Sequence, residues 1–326
     1  MTRPGAAVLP LLLLLATPAA ALEPAEVVDA FEGAGGRITT FRPSHAKGVC
    51  AAGEFTPTAE GTRLSVAPTF AGAPVPATIR FGVAGATPRA SDVARTTRSL
   101  AIRFETAAGD QWDMANISAP IFGARTPEML VAGLRARRAG PNGQPADPAA
   151  VAAFVAANPQ STRQAAWLGQ RMPPASFATT PYWGVNAFRF QGRDGEVRHA
   201  RWVFEPAAGE QRLTEADAAR LGPDFLAAEL RARVAQAPVA FDMVLQFPAA
   251  GDDVTDPTVA WPADRPRATV GRLVVTAVEP GPGGACDPIS FLQLDQEPGV
   301  AFSDDPVLQG RAAPYAEALS RRTTPR

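Results

Sequence analysis

The strongest constraint on the fold is a series of short strand-like segments separated by turn residues. The clearest, Ser99 to Glu105, alternates apolar and polar residues, which is the period of a strand with one buried face. Gly109 and Asp110 supply a tight turn, so Gln111 to Asn116 is predicted to return as an antiparallel neighbour. Four further candidate strands are Leu64 to Pro68, Val197 to Phe204, Phe241 to Phe247 and Thr269 to Val278.

Helices are predicted around these strands. Thr126 is a capping residue followed by a proline at the first helical position, which starts a helix that runs to about Arg138. The other candidate helices are Pro24 to Glu32, Ala149 to Asn158, Gln160 to Gln170, Thr214 to Leu221 and Asp224 to Ala235. Those between Thr126 and Gln170 form a mainly helical insertion, so the chain is placed in the α+β class.

The first 21 residues have the layout of a secretory signal peptide. Arg3 precedes an apolar run from Ala6 to Ala16 that ends in small residues, and this run is too short for a spanning helix. Cleavage after Ala21 would leave residues 22–326 as a single exported domain. We expect that domain in the periplasm or outside the cell, with no membrane attachment after cleavage.

Charge and cysteine content exclude several functions. The formal net charge of −1 gives no basis for binding nucleic acid or an anionic membrane. Cys50 and Cys286 are the only cysteines, so neither a cysteine-rich metal cluster nor a disulfide framework is predicted. An exported location permits a bridge between these two, but their spacing does not show that they lie close together. Their pairing therefore stays open.

The stretch Phe41 to Gly48, FRPSHAKG, holds His45, one of two histidines in the chain. It has neither helical nor strand periodicity. Imidazole can take up and return a proton near neutral pH. A lone histidine is more often a surface residue or a core residue whose hydrogen bonds are all made. A catalytic role for His45 is therefore supported only if a second motif indicates the same function.

The second signal lies near the other end of the chain. Leu308 to Arg322, LQGRAAPYAEALSRR, carries Tyr315, one of two tyrosines. Arg311 lies four residues before Tyr315 and Arg322 seven after it, on one face of a helix. Pro314 is tolerable only in the first turn, which places the start of this helix near Arg311. A free phenol has a pKa of about 10, and a nearby cation favours its charged form.

Together these stretches resemble the two sides of the haem pocket in the catalase family. Arg-x-x-His-Ala-Lys-Gly is similar to the pattern around the family's distal histidine, and Leu-Gln-Gly-Arg with the following tyrosine is similar to its proximal stretch. The resemblance extends from about residue 30 to 322 and is closer to the short catalase-related peroxidases. It implies two more strands, Thr78 to Gly82 and the end of Pro173 to Phe190. Eight strands suit a closed antiparallel β-barrel with helices outside it.

The resemblance also implies a cofactor and roles for individual residues. The chain is expected to bind haem b, with Tyr315 as the axial iron ligand and Arg311 holding the phenolate. His45 is the expected acid and base, and Asn116 the amide that hydrogen-bonds peroxide. The other implied cofactor-binding residues are Arg42, Arg80 and Arg322 at the propionates, with Phe122 and Ser44 in the pocket.

Four positions depart from the family pattern. Ser44 replaces an apolar residue next to His45, and its hydroxyl is able to bond the imidazole or a peroxide. Gly82 replaces the serine that orients the distal histidine, and Asn186 replaces a histidine that supports the proximal arginine. Gly123 stands in place of the second of two phenylalanines. Loss of orienting hydrogen bonds commonly lowers activity.

The resemblance implies a haem peroxidase that reduces hydrogen peroxide or organic hydroperoxides with small organic electron donors. Weak or absent release of oxygen is expected, because of these departures and because the sequence shows none of the arms of full-length catalases. A monomer or a small homo-oligomer is expected. Two alternatives stay open: a haem enzyme that rearranges fatty-acid hydroperoxides, and a barrel that carries haem or an apolar ligand without turnover.

Overall fold

A computed structural model describes residues 22–33, 41–140, 144–281, 283–291 and 296–324, so the predicted signal peptide lies outside the described residues. Their strands are β1 (Lys47–Pro57), β2 (Val75–Val83), β3 (Arg98–Glu105), β4 (Gln111–Ile117), β5 (Tyr182–Gln191), β6 (Val197–Pro206), β7 (Val239–Gln246), β8 (Arg267–Val278) and β9 (Val300–Phe302). Their α-helices are α1 (Pro24–Gly33), α2 (Ala59–Leu64), α3 (Pro127–Ala136), α4 (Pro148–Ala157), α5 (Arg163–Gly169), α6 (Glu215–Leu221), α7 (Leu226–Gln236), α8 (Pro306–Gln309) and α9 (Ala312–Thr323).

Strands β1 to β8 form the closed antiparallel barrel that was predicted. Each pairs with its neighbour in the order β4-β3-β2-β1-β8-β7-β6-β5, and a pairing of Ile117 with Trp183 closes β4 onto β5. The short strand β9 pairs with β5 at Phe188 to Phe190. Register shifts interrupt the β1–β8, β5–β6 and β7–β8 ladders. Such irregularities bend strands, which a small barrel needs in order to close.

The predicted strand at Leu64 to Pro68 is wrong. Leu64 ends helix α2, which Thr58 caps through its side chain, and a 3-10 turn follows at Pro68–Phe70. Leu64 and Phe70 are buried because they pack against the barrel core and not because they pair in the sheet. The barrel strand missing from the predicted set is β1, which directly follows the FRPSHAKG stretch.

Aromatic side chains fill the inside of the barrel. Trp112 and Trp202 meet edge to face with ring centroids 5.8 Å apart, and Phe188 lies 4.4 Å from Trp202. On β3 the inward residues Leu100, Ile102 and Phe104 are fully buried, whereas the residues between them are only partly buried. A barrel interior filled by side chains is a packed core and not a pore, so a large ligand must bind on its outer face.

Helices cover that outer face. Helix α1 packs against both α3 and α9, and Arg321 of α9 binds Asp29 and Glu32 of α1 at 2.6 and 2.9 Å. The predicted helices are present, except that a 3-10 turn at Pro159–Thr162 delays the start of α5. Helices α2 and α8 were not predicted. Among the described residues, none of these helices combines the length and the apolar character that a bilayer crossing needs.

Candidate active site

A cavity of about 600 Å³ lies between the outer face of the barrel and the helices. Strands β2, β3 and β4, the FRPSHAKG stretch, and helices α1, α3, α5 and α9 contribute to its wall. All nine residues that the sequence singled out line it: Arg42, Ser44, His45, Arg80, Asn116, Phe122, Arg311, Tyr315 and Arg322. The fold thus brings the two ends of the sequence to one place.

His45 is held in an unusual backbone conformation at the cavity wall. Its φ of 52° lies in the left-handed region, which costs a non-glycine residue about 1–3 kcal/mol unless its surroundings impose it. The neighbouring Ala46 is fixed by its N–H, which donates to the carbonyl of Gly85 at 3.0 Å, and by its carbonyl, which accepts from Arg80 at 3.2 Å. Strain imposed in this way is typical of a functional position.

The surroundings of His45 favour the neutral form of its imidazole. Burial lowers its pKa from 6.5 to about 4, and the charges of Arg80, Arg42 and Arg98 add to that effect. Its Nδ1 atom is buried and has no hydrogen-bond partner among the described residues. A neutral imidazole is able to accept a proton, which is the form that a general base requires.

Lys47 fixes the chain directly after His45. Its Nζ donates to the carbonyls of Ala90 and Pro223 at 2.9 and 2.7 Å, and lies 2.7 Å from carboxylate oxygens of both Asp92 and Asp224. Asp92 is only 1% exposed, so this lysine neutralises a buried charge. The lysine of the motif therefore has a structural role in this chain.

Three arginines face the same part of the cavity. The pKa of Arg42 is lowered to about 9 by burial and by the charges of Arg80 and Arg322, and that of Arg80 is lowered to about 10 by burial and by Arg322. Gly48 makes room for Arg80, because a Cβ there would lie 2.5 Å from its guanidinium carbon. The carboxylate near them belongs to Asp287, 3.9 Å from Arg80 and 42% exposed. Three clustered cations with one exposed carboxylate make a site for an anionic group.

The segment from Gly283 to Phe291, which we call the carbonyl loop, holds two of these arginines. Arg42 donates to the carbonyls of Cys286 and Ile289 at 3.0 and 2.7 Å. Arg322 donates to those of Asp287 and Ile289, both at 2.9 Å. The loop is anchored by a disulfide between Cys286 and Cys50 of β1, whose Cα atoms are 5.4 Å apart. The pairing that the sequence leaves open is thus present in the structure.

Tyr315 and Arg311 stand together at the start of α9. The backbone N–H of Tyr315 donates to the carbonyl of Arg311 at 3.2 Å, so the two side chains lie one helical turn apart, and both line the cavity. The structure keeps the predicted spacing and start of this helix. The two residues thus offer a phenol oxygen and a permanent cation to the same cavity.

Asp305 is a residue of this region that the sequence analysis missed. Asn186, buried in β5, donates to its carboxylate at 2.6 Å, and the other carboxylate oxygen caps α8 through the N–H of Val307 at 2.8 Å. Burial raises the pKa of Asp305, while Asn186, the helix N–H groups and Arg311 oppose that shift. An aspartate directly before a proline marks a helix start, a signal that was available in the sequence.

Asn116 has partners inside the barrel. Its side-chain nitrogen donates to the carbonyl of Leu100 at 2.8 Å, and its oxygen accepts from the indole N–H of Trp202 at 2.5 Å. It lies on the same side of β4 as the buried Trp112, and it also lines the cavity, as its neighbour Ile117 does. The amide therefore has one N–H left to offer, so the predicted role in peroxide binding depends on that single group.

Gly82 leaves space that a neighbouring strand fills. The register pairs it with Ser99 of β3, and a Cβ on Gly82 would lie 2.7 Å from the Ser99 hydroxyl oxygen. Ser99 also lines the cavity. No pattern within the sequence of β3 signals this serine, because only the cross-strand register brings it to position 82.

These residues fit a haem, which is a flat apolar ring with two carboxylates on one edge. The helices provide apolar wall residues such as Val28, Phe31 and Leu134. The arginine cluster matches the carboxylates, and Tyr315 offers an oxygen to a metal. The fit is also consistent with the mutual repulsion of the buried arginines, which a bound dianion would relieve.

Comparison with known proteins agrees with this geometry. The catalase family model matches residues 30–326. The chain is 37% identical over 305 residues to a catalase-related peroxidase of Synechococcus elongatus, covering 94% of this chain and 90% of that protein. It is 34% identical to a catalase-related peroxidase of Mycolicibacterium paratuberculosis, covering 93% and 95%.

The fold is also that of solved catalases. A fungal catalase superposes with a TM-score of 0.77 at 23% identity, covering 87% of this chain, and the chain spans 60% of that catalase's length. At this identity the likeness concerns the fold alone, whereas the family match covers nearly the whole sequence. The chain belongs to the catalase family.

Proposed function

We propose that this protein is an exported peroxidase that binds haem b and reduces hydrogen peroxide or organic hydroperoxides with small organic electron donors. Membership of the catalase family and its likeness to two catalase-related peroxidases make it an oxidoreductase that acts on peroxide. The family implies a haem cofactor. The observation that carries the finer proposal is the single cavity in which a neutral histidine, three arginines and a tyrosine–arginine pair meet.

The haem, when bound, supplies the two-electron redox chemistry at iron. Tyr315 would hold the iron through its oxygen, with Arg311 one helical turn away. Arg42, Arg80 and Arg322 would bind the propionates. Their guanidinium groups are held in place by the carbonyl loop and by Ala46, so they are arranged before the cofactor arrives.

His45 would move the proton in the reaction. Its neutral imidazole accepts the proton from one oxygen of the peroxide and returns it to the other, which then leaves as water. Burial keeps the imidazole uncharged near neutral pH. Ser44, next to it at the cavity wall, and the free N–H of Asn116 are the other polar groups available to a peroxide.

We expect oxygen release from hydrogen peroxide to be weak or absent. Asn116 has only one free N–H, and the Nδ1 atom of His45 has no orienting partner among the described residues. A loosely oriented acid–base group lowers the rate of a reaction in which it must act on a second peroxide. Reduction by an organic donor takes its electrons from another molecule and would not need His45 to act on a second peroxide.

The test is the visible absorption spectrum of the purified protein supplemented with haem, compared with Tyr315→Phe. Wild type should bind haem with a high-spin spectrum that changes on addition of peroxide, and Tyr315→Phe should alter or lose the haem spectrum. Tyr182→Phe is the matched control, because Tyr182 is buried in the barrel, where its hydroxyl donates to the Phe177 carbonyl at 3.0 Å. Its loss should leave the haem spectrum unchanged.

Three results would contradict the proposal. Absence of haem uptake by wild type would mean that the resemblance describes only the fold. Haem uptake without a spectral change on addition of peroxide and without oxidation of a donor would favour a barrel that carries haem without turnover. Conversion of a lipid hydroperoxide to rearranged products, and not to its alcohol, would favour the rearranging enzyme. Rapid release of oxygen from hydrogen peroxide would refute the separate expectation of weak catalase activity.

A further inference from the structure

The cavity wall contains a buried hydroxyl that the proposed chemistry does not use. Ser161 lies in the 3-10 turn before α5 and is 7% exposed. It lines the cavity, and its Oγ atom has no hydrogen-bond partner among the described residues. A buried polar group left unpaired has given up its hydrogen bonds to water without replacement. An unpaired group of this kind in a cavity therefore points to a ligand that satisfies it.

One helical turn later, Gln164 presents an oriented carbonyl oxygen. Its side-chain nitrogen donates to the carbonyl of Ile121 at 2.8 Å, which fixes the amide so that the oxygen is the free end. That oxygen accepts no hydrogen bond from a described residue. It lies 3.3 Å from where a Cβ on Gly123 would be, so Gly123 leaves the approach to it open.

The cavity wall also carries apolar and aromatic side chains, and the Arg137 guanidinium lies 5.0 Å from the centre of the Phe154 ring. Phe122, Phe154, Leu130 and Ala165 line the same cavity. Ser161 and Gln164 come from the helical insertion, whereas the three arginines come from the FRPSHAKG stretch, β2 and α9. A few polar groups in an apolar wall are the usual makeup of a site for a small organic molecule.

We propose that Ser161 and Gln164 form the binding site for the electron donor, and that they select a phenol. The phenol O–H would donate to the Gln164 oxygen, its oxygen would accept from the Ser161 hydroxyl, and its ring would pack against Phe122 and Phe154. This rests on the proposed peroxidase function. Each phenol gives up one electron and one proton, so two phenols and one hydrogen peroxide yield two phenoxyl radicals and two waters.

The test compares Ser161→Ala with wild type, using guaiacol as the phenol and tetramethyl-p-phenylenediamine as a donor without a hydroxyl. Loss of one hydrogen bond should raise the KM for guaiacol, and its Kd measured calorimetrically without peroxide, by about tenfold. The KM for the diamine should not change. Because the Ser161 hydroxyl has no protein partner, the substitution should not lower stability. Gly123→Ala, which obstructs the Gln164 oxygen, should also weaken guaiacol binding.

Each outcome decides the question. Equal guaiacol KM and Kd in wild type and both variants would overturn the donor site while leaving the peroxidase proposal intact. A rise in KM for cumene hydroperoxide, with guaiacol unaffected, would also overturn it, because the same hydroxyl chemistry would then serve the peroxide substrate. If wild type oxidises neither donor, the peroxidase proposal fails, and the guaiacol titration without peroxide still tests the site.

Discussion

Removing the disulfide between Cys50 and Cys286 should lower the free energy of unfolding and speed the release of haem. The bridge closes a loop of 236 residues, whose closure entropy corresponds to about 5.5 kcal/mol at 25 °C, although measured values are more often about 2–4 kcal/mol. We therefore expect Cys50→Ala/Cys286→Ala to lower the free energy of unfolding by about 2–5 kcal/mol. That is a large part of the stability of a typical domain.

The effect on the cofactor follows from the carbonyl loop. Arg42 and Arg322 make five hydrogen bonds to its carbonyls, at 2.7 to 3.4 Å. Without the bridge the loop keeps other anchors, since the Asp287 carboxylate accepts from the N–H groups of Gly283 and Gly284. We expect the equivalent of one charged hydrogen bond to be lost, which would speed haem release by about tenfold.

Two measurements separate these effects. Urea unfolding of the haem-free protein gives the stability, and transfer of haem to excess apomyoglobin, followed by visible absorption, gives the release rate. Met243→Ala is the control, because Met243 is fully buried in the barrel and does not line the cavity. It should cost about 2–5 kcal/mol without faster release. Equal release rates in the disulfide variant and wild type, or equal acceleration in Met243→Ala, would refute the reasoning.

Two further predictions concern the segment around His45. Because the pKa of His45 is lowered to about 4 by burial and by neighbouring arginines, its imidazole stays neutral down to that pH. The rate of the reaction with peroxide, measured by stopped flow, should fall only below about pH 4, and a fall centred near 6.5 would contradict this assignment. Lys47→Met should lower the free energy of unfolding by about 3 kcal/mol because it leaves the buried Asp92 without this ion pair. Chemical denaturation measures the loss, and a change below about 0.5 kcal/mol, the usual limit for a surface substitution, would show that the pair is not needed.

The strands were predicted well where one face is buried and the other is not. Ser99 to Glu105 alternates because β3 faces the barrel core on one side and the cavity on the other. The prediction failed at Leu64 to Pro68, where apolar residues are buried by packing across the end of the barrel. A short apolar run does not distinguish these two forms of burial.

The arrangement of the site was predictable in part. Arg311 and Tyr315 lie one turn apart on a helix, so their proximity is local and readable from spacing. Asn116 shows the limit of this reasoning, since its position in a strand does not say which face it occupies. A shift of one residue moves a side chain to the other face of a sheet, and here the amide bonds Trp202 inside the barrel.

Local patterns in the sequence determined most of the strands and helices. Its motifs, through their resemblance to the catalase family, indicated the barrel and the nine residues that line the cavity. Only the tertiary structure decided which other groups contact these residues and hold them in place. The Ser99 hydroxyl lies close to where a Cβ at position 82 would be, Asp305 accepts a hydrogen bond from Asn186, and the carbonyl loop binds Arg42. Each of these contacts joins distant segments of the chain. Such contacts depend on how the strands register and the helices pack, which no single stretch of sequence encodes.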